Sequence, residues 1–286
     1  MTLPILGLGA LAVRYDALLC DVWGVIHNGR ESFAAACSAT ARWRAERGPV
    51  ILISNSPRPS AQVVEQLDGL EVPRAAWSAI VTSGDVTRTL LAARAPGPAW
   101  PIGPERDAPL YEGLGLAFAG PQEAAFISCT GPVDDEVETP EDYRKTLTLA
   151  AARGLTMICA NPDRVVQRGD RLVYCGGALA QLYESLGGAV QMAGKPYAAI
   201  YDACLDEASR QLGALIDRAR VLAIGDGVAT DVAGANRAAI DILFIATGIH
   251  GAETLGADGG LDAAKVDALL AKDGARATYA MADLTW

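Results

Sequence analysis

Short apolar runs without polar alternation punctuate this chain, and alanine-rich stretches of helical character stand between them. Ala17 to Val22 and Pro49 to Ser54 are apolar almost throughout, the pattern of strands buried on both faces in a parallel sheet. Between them, Ser32 to Glu46 predicts a helix that ends at Gly48-Pro49. A second helix starts after Ser60, with Val63, Val64 and Leu67 on one face, and Ala79 to Thr82 is a further short strand. Strand, helix and strand in succession imply right-handed crossovers and a mostly parallel sheet. The same grammar returns near the C-terminal end, with a helix from Pro196 to Leu212, a strand from Val221 to Ile224, a helix from Thr230 to Ala239 and a strand from Ile242 to Ala246. The middle has its own strands, Ala124 to Cys129 and Leu155 to Ala160. It also has a helix announced by Thr139, Pro140 and Asp142. The Pro/Gly-rich stretch Ala95 to Pro104 is a candidate boundary. These patterns predict an α/β fold, with a mostly parallel sheet in the core and a middle domain inserted between Ser54 and Lys195.

Composition narrows the partners. The 286 residues are 51% apolar and 20% charged, enough for a sizeable core and too apolar for general disorder. A net charge of -10 repels nucleic acid, and no basic run offsets it. That balance still admits a small anionic ligand, because a bound cation inverts the local field. The six cysteines, Cys20, Cys37, Cys129, Cys159, Cys175 and Cys204, form no CxxC pair and no zinc-type spacing, and read as reduced, buried thiols. With His27 and His250 alone, a histidine-rich metal site is excluded. The opening MTLPILGLGALAV has no basic residue ahead of its apolar stretch, and a strand starts soon after, which argues against a signal peptide. No apolar run approaches the ~20 residues that span a bilayer, so no membrane partner is expected and the cytoplasm is the default compartment.

The candidate chemistry lies where the apolar runs stop. Asp21 ends LLCD, Ser54 ends VILIS, Lys195 stands in AGKPY, and Asp226 and Asp231 follow VLAIG. A strand that ends in a polar residue delivers it to the carboxyl edge of a parallel sheet, where open α/β folds bind ligands. Three carboxylates and an ammonium gathered there suit a divalent cation and a phosphoryl group. Plainer readings compete. Asp21 can cap a turn, Asp226 and Asp231 can sit at a helix N-terminus, and Ser54-Asn55-Ser56 and Asn161-Pro162-Asp163 are good turn sequences in themselves. Thr82 to Asp85 reads as a helix entry. Gly225 and Gly227 around Asp226 favour a tight loop. GLGALA at Gly7 lacks the full preceding strand and the acidic partner of a dinucleotide fingerprint. There is no Walker A lysine motif and no GxSxG elbow.

Taken in order, DVWGV, ISNS, GKP and GDGVATD resemble the four motifs of the haloacid dehalogenase-like (HAD) hydrolase superfamily. CANPD (Cys159 to Asp163) and YCGGALA (Tyr174 to Ala180) resemble segments of its class IIA, NagD-like members. The resemblance implies a Rossmann-like HAD core over residues 1–84 and 191–286, with a C2-type α/β cap over 85–190 closing over the site. It implies that Asp21 attacks phosphorus to form an aspartyl-phosphate. It further implies that Mg²⁺ is held by Asp21, Asp226 and the main-chain carbonyl of Trp23, with Asp231 in support. Ser54, the Asn55 amide and Lys195 would hold the phosphoryl oxygens, and Asn161 is the cap's candidate for substrate contact. The implied substrate is a small phosphorylated metabolite, with sugar phosphates, nucleotides and pyridoxal phosphate all open. A homo-oligomer also stays open.

One position departs from that pattern. Phosphatases of the superfamily usually carry a second aspartate two residues after the nucleophile, which protonates the leaving oxygen and then activates water. Here that residue is Trp23, whose indole offers an N–H donor but no acid or base useful near neutral pH. Three accounts stay open. Another group, His27 on the following loop or a cap carboxylate, takes over the proton, and as a loop residue His27 is expected to be exposed. Alternatively the leaving group needs no proton, as with acyl or aryl phosphates or a phosphonatase-like or phosphotransfer reaction. The third account is a non-catalytic protein that binds a phosphorylated ligand on the same scaffold.

Overall fold

In the computed structural model, which describes residues 1–168, 171–257 and 259–286, the chain forms two compact units. The first comprises Met1–Ser54, Val64–Val81 and Lys195–Trp286, and the second Asn55–Val63 and Thr82–Gly194.

The first unit is built on strands β1 (Leu3–Pro4), β2 (Ala17–Asp21), β3 (Val50–Ser54), β4 (Ala79–Thr82), β11 (Val221–Gly225), β12 (Asp241–Ile245) and β13 (Tyr279–Met281). They lie in one sheet in the order β1-β13-β12-β11-β2-β3-β4. From β1 through β3 every pairing is parallel. Leu18, Leu19 and Cys20 of β2, Ile51 and Leu52 of β3 and Ile242 to Phe244 of β12 have no exposed surface. That explains the unalternated apolar runs: strands covered by helices on both faces have no polar side to show. The helices Ala34–Glu46, Ala198–Leu212 and Ala263–Lys272 belong to this unit.

The second unit holds a four-stranded parallel sheet. Its strands are β5 (Ala99–Ile102), β6 (Phe126–Cys129), β7 (Thr156–Cys159) and β10 (Ala189–Met192), in the order β10-β7-β6-β5. A separate antiparallel hairpin pairs β8 (Val165–Arg168) with β9 (Arg171–Tyr174). The helices Arg144–Ala152 and Gly176–Ser185 pack Leu147, Leu179 and Tyr183 into a core with Ile127 and Met157. The stretch Ala95 to Pro104 is not a boundary: it contains β5, whose Ala99 and Ile102 are buried. Thr82 to Asp85 is the helix entry that the sequence predicts, with Thr82 and Asp85 exchanging a reciprocal capping box. All six cysteines are buried. No helix among the described residues is long and apolar enough to cross a membrane.

Candidate active site

β2 and β11 are neighbours where the chain order of the first sheet reverses, with β3 and β4 running off to one side and β12 and β13 to the other. Such a switch point leaves a crevice at the carboxyl ends of the strands. Asp21 is the last residue of β2. The register sets Ile224 beside Cys20, which brings Gly225 level with Asp21 and starts the loop of Asp226 next to it. Three glycines make room for the carboxylates. A Cβ on Gly225 would fall 2.2 Å from Asp231 Cγ, and one on Gly24 (φ +83°) or Gly248 would fall 2.2 or 2.1 Å from Asp226 Oδ2.

Past Asp226 the chain does not enter an α-helix at Thr230, as its sequence predicts. It makes one π turn over Val228–Val232, and the α-helix covers only Ala233–Ala238. The main-chain N–H groups of Asp231 and Val232 share the Gly227 carbonyl, at 2.9 and 3.1 Å. Such single wide turns recur at functional sites, because they redirect a side chain without breaking the helix. Asp231 Oδ2 accepts the Gly227 N–H at 3.1 Å, and its Oδ1 accepts from Lys195 Nζ at 2.7 Å. Lys195 Nζ donates also to Asp21 Oδ1 at 2.5 Å. The three carboxylates each place an oxygen within 4.8 Å of the others.

All four groups are buried: Asp21 is 8% exposed, Lys195 3%, Asp226 2% and Asp231 2%. Three carboxylates against one ammonium leave an excess of two negative charges with little water to screen it. Burial, and then the charge of Asp231, push the Asp21 carboxyl well above the usual range, while Lys195 pulls against them. The same two causes raise Asp226 to about 6, opposed by the Ile249 N–H, which donates to its Oδ2 at 2.8 Å. Burial alone would discharge Lys195, but Asp21 and Asp231 outweigh it and hold the ammonium well above its ordinary value. Removing one partner of such a buried set leaves an uncompensated charge.

A pH dependence follows from Asp226. Its carboxyl is held at about 6 in the fold against 3.8 for the free group, so between those values the folded state carries a proton that the unfolded chain has lost. Stability then falls as pH rises through that window. The full penalty above pH 7 is on the order of 3 kcal/mol, at about 1.4 kcal/mol per tenfold. Asp226→Asn has no such group. In chelator-treated protein, urea unfolding at pH 5 and pH 7 should show the wild type losing roughly half of that penalty relative to the variant. A gap that does not change with pH would mean that Asp226 is already ionised at pH 5.

Ser54 ends β3, one residue beyond Ile53, the register partner of Asp21, and is half-buried. Asn55 and Asn161 belong to the second unit. There Asn55 Nδ2 donates to Asp163 Oδ1 at 2.9 Å, and Asn161 Oδ1 accepts the Asp163 N–H at 3.0 Å. Asp163 is thus the hub of that turn, a role its sequence does not announce. Two further contributors escape a reading by motif. One is the Ile249 N–H. The other is Tyr201, buried on the helix Ala198–Leu212, whose hydroxyl donates to the Asp231 carbonyl at 3.2 Å.

His27 is not the exposed loop histidine that its position implies. It is 2% exposed, its Nδ1 accepts the Gly29 N–H at 2.9 Å, and burial lowers its pKa to about 4. The ring is therefore neutral near pH 7, with its proton on Nε2, and a neutral imidazole is no acid for a leaving oxygen. Trp23, by contrast, is 41% exposed.

Comparison with known proteins agrees with this geometry. A family model described as haloacid dehalogenase-like hydrolase matches residues 18–117, and a second, HAD-hydrolase-like, matches residues 192–273. The crystal structure of a haloacid dehalogenase-like family hydrolase from Brucella suis 1330 is 46% identical, covers 98% of this chain and 100% of its own, and superposes with a TM-score of 0.85. The 5'-nucleotidase YutF of Bacillus subtilis is 26% identical over 239 residues, 82% of this chain and 88% of that protein. The structure of a glycerol phosphate phosphatase, Rv1692 of Mycobacterium tuberculosis, in complex with magnesium is 24% identical, with a TM-score of 0.69 over 96% of this chain and 77% of that one.

Proposed function

This chain belongs to the haloacid dehalogenase-like hydrolase family, and we propose that it is a Mg²⁺-dependent phosphohydrolase of small phosphorylated metabolites that works through an aspartyl-phosphate. The observation that carries this reading is the buried cluster in which Lys195 bridges Asp21 and Asp231 while Asp226 stands within reach of both. An all-oxygen donor set with two excess negative charges fits a hard divalent cation. The glycine cradle of Gly24 and Gly248 around Asp226 holds that carboxylate in place for it. We assign Asp21, Asp226 and the Trp23 carbonyl as the ligands, with Asp231 in support. When bound, Mg²⁺ offsets the repulsion between nucleophile and phosphate dianion, roughly 4 kcal/mol per unit-charge pair at 4 Å and an effective dielectric of 20.

The protein's own groups then have distinct tasks. Lys195 fixes Asp21 Oδ1, so that the second oxygen is the one presented for attack. That oxygen forms the bond to phosphorus as the ester P–O bond breaks, and the electron pair leaves with the alkoxide or phenolate. Water then attacks phosphorus, the acyl-phosphate bond breaks, and Asp21 is regenerated as inorganic phosphate departs. Ser54, the Asn55 amide and Lys195 would bind the phosphoryl oxygens through both steps, and Asn161 would contact the substrate. The names of the relatives, a nucleotidase and a glycerol phosphate phosphatase among them, support small phosphate monoesters as the class.

The absent acid at Trp23 keeps a second reading in view, a protein that binds phosphorylated ligands without turnover. A broad panel of phosphate esters with Mg²⁺ separates the two: an enzyme releases phosphate from some member, whereas a binding protein retains ligand and releases none. The metal assignment has its own test. Mg²⁺ should raise the thermal midpoint of the wild type at pH 7 by mass action, and Asp226→Asn should lose most of that response. Equal responses in both proteins would remove Asp226 from the metal site.

A further inference from the structure

One oxygen of Asp226 is enclosed by main chain. A Cβ on Gly24 or Gly248 would fall 2.2 or 2.1 Å from Oδ2, and the Ile249 N–H donates to that same oxygen at 2.8 Å. Gly248 and Ile249 lie on the loop that follows β12, so the placement of this loop decides how the carboxylate is held. The loop's entry is tied to the end of β13 and the residue beyond it. Ala246 N–H donates to the Met281 carbonyl at 2.9 Å, and Thr247 N–H to the Ala282 carbonyl at 3.1 Å. Its exit is tied by a side chain. Thr254, which has no exposed surface, directs its hydroxyl to the His250 carbonyl at 2.9 Å and to the Ala246 carbonyl at 2.7 Å. The first contact is the ordinary bond of a helical threonine to the carbonyl four residues back. The second reaches back eight residues and has no such local origin. A single buried hydroxyl thus staples both ends of the segment that carries Gly248 and Ile249.

We propose that Thr254 is a positioning residue for the cation site: by closing this loop it keeps the Ile249 N–H on Asp226 Oδ2 and leaves Oδ1 to the metal. The inference rests on the Mg²⁺ reading above and goes beyond it by naming a residue that touches neither metal nor substrate. A main-chain N–H has no side chain to tune it, so its precision comes from whatever fixes the loop. Groups that orient a metal-binding side chain typically govern affinity by roughly 10–100-fold. Thr254 acts one contact further out, so its effect is smaller.

Mg²⁺ affinity, measured by calorimetry on the folded protein at pH 7, tests this without turnover. Thr254→Val keeps the shape and removes the donor, whereas Thr254→Ser keeps the donor. The valine variant should bind Mg²⁺ about three- to tenfold more weakly, and the serine variant should stay near the wild-type value. Should Thr254→Val fail to fold, Thr254→Ala removes the same hydroxyl without crowding and makes the comparison. Wild-type affinity in the valine or alanine variant would overturn the positioning role, as would an equal loss in the serine variant. Both results leave the Mg²⁺ reading standing. No Mg²⁺ binding by the wild type would overturn both.

Discussion

Asp21→Asn should lower phosphate release by at least about three orders of magnitude, the scale on which loss of a nucleophile acts. The substitution is conservative in shape. The amide oxygen of asparagine can still accept from Lys195 Nζ, which lies 2.5 Å from Asp21 Oδ1. Lys195 also keeps Asp231 as a charged partner, so the ammonium is not left unpaired. What disappears is the charge proposed to attack phosphorus, and with it one of three buried carboxylates, the one whose pKa is raised by burial and then by the charge of Asp231. The variant should therefore fold at least as stably as the wild type in the absence of metal, and tetrahedral oxyanions such as vanadate or tungstate should still bind. Stopped assays of phosphate release, with thermal melts of both proteins, check this. Residual turnover within tenfold of wild type would mean that Asp21 forms no bond to phosphorus.

The sheet and the ionic cluster were legible for the same reason. Strands covered on both faces must be apolar throughout, so Ala17–Asp21, Val50–Ser54 and Val221–Gly225 stand out, and a polar residue at the end of such a run has only the sheet edge to go to. Glycines around Asp226 marked a crowded loop, and Gly225 is required by the nearness of Asp231. What the pattern does not carry is contact between distant segments. Asn55 meets Asp163 at a separation of 108 residues. Nothing in ISNS or CANPD alone joins that amide to that carboxylate. A loop position predicts exposure for His27, whereas this loop folds back through His27 and buries the ring. The π turn at Val228–Val232 escaped because its residues have ordinary helical character, and the extra backbone unit is set by the two N–H groups that share the Gly227 carbonyl. The strand Ala99–Ile102 was hidden by the prolines around it, which are tolerable because this strand lies at the edge of its sheet.

A burst of phenol should precede a slower steady state when an aryl phosphate is mixed with this enzyme in a rapid-quench experiment. The reason is the asymmetry that Trp23 imposes on the two half-reactions. An aryl leaving group departs as a stabilised phenolate, so the first step tolerates the missing acid. Every aspartyl-phosphate, whatever its origin, waits for a water that some base must activate, and general acid–base assistance is typically worth about 10²–10⁴-fold. The side chain in the usual position is an indole, and His27 is tied to the Gly29 N–H and neutral. The acyl-phosphate should therefore accumulate, and alkyl phosphates, which lack a good leaving group, should turn over more slowly still without a burst. Trp23→Asp should speed the slow phase, by up to about the same 10²–10⁴-fold where the shorter carboxylate reaches the water. Partial exposure of the indole makes the exchange tolerable to the fold, since at 41% exposure no closed cavity is left behind. Equal single-phase rates on aryl and alkyl phosphates would show that another group already supplies the proton, and His27→Ala would then decide whether the buried imidazole is that group.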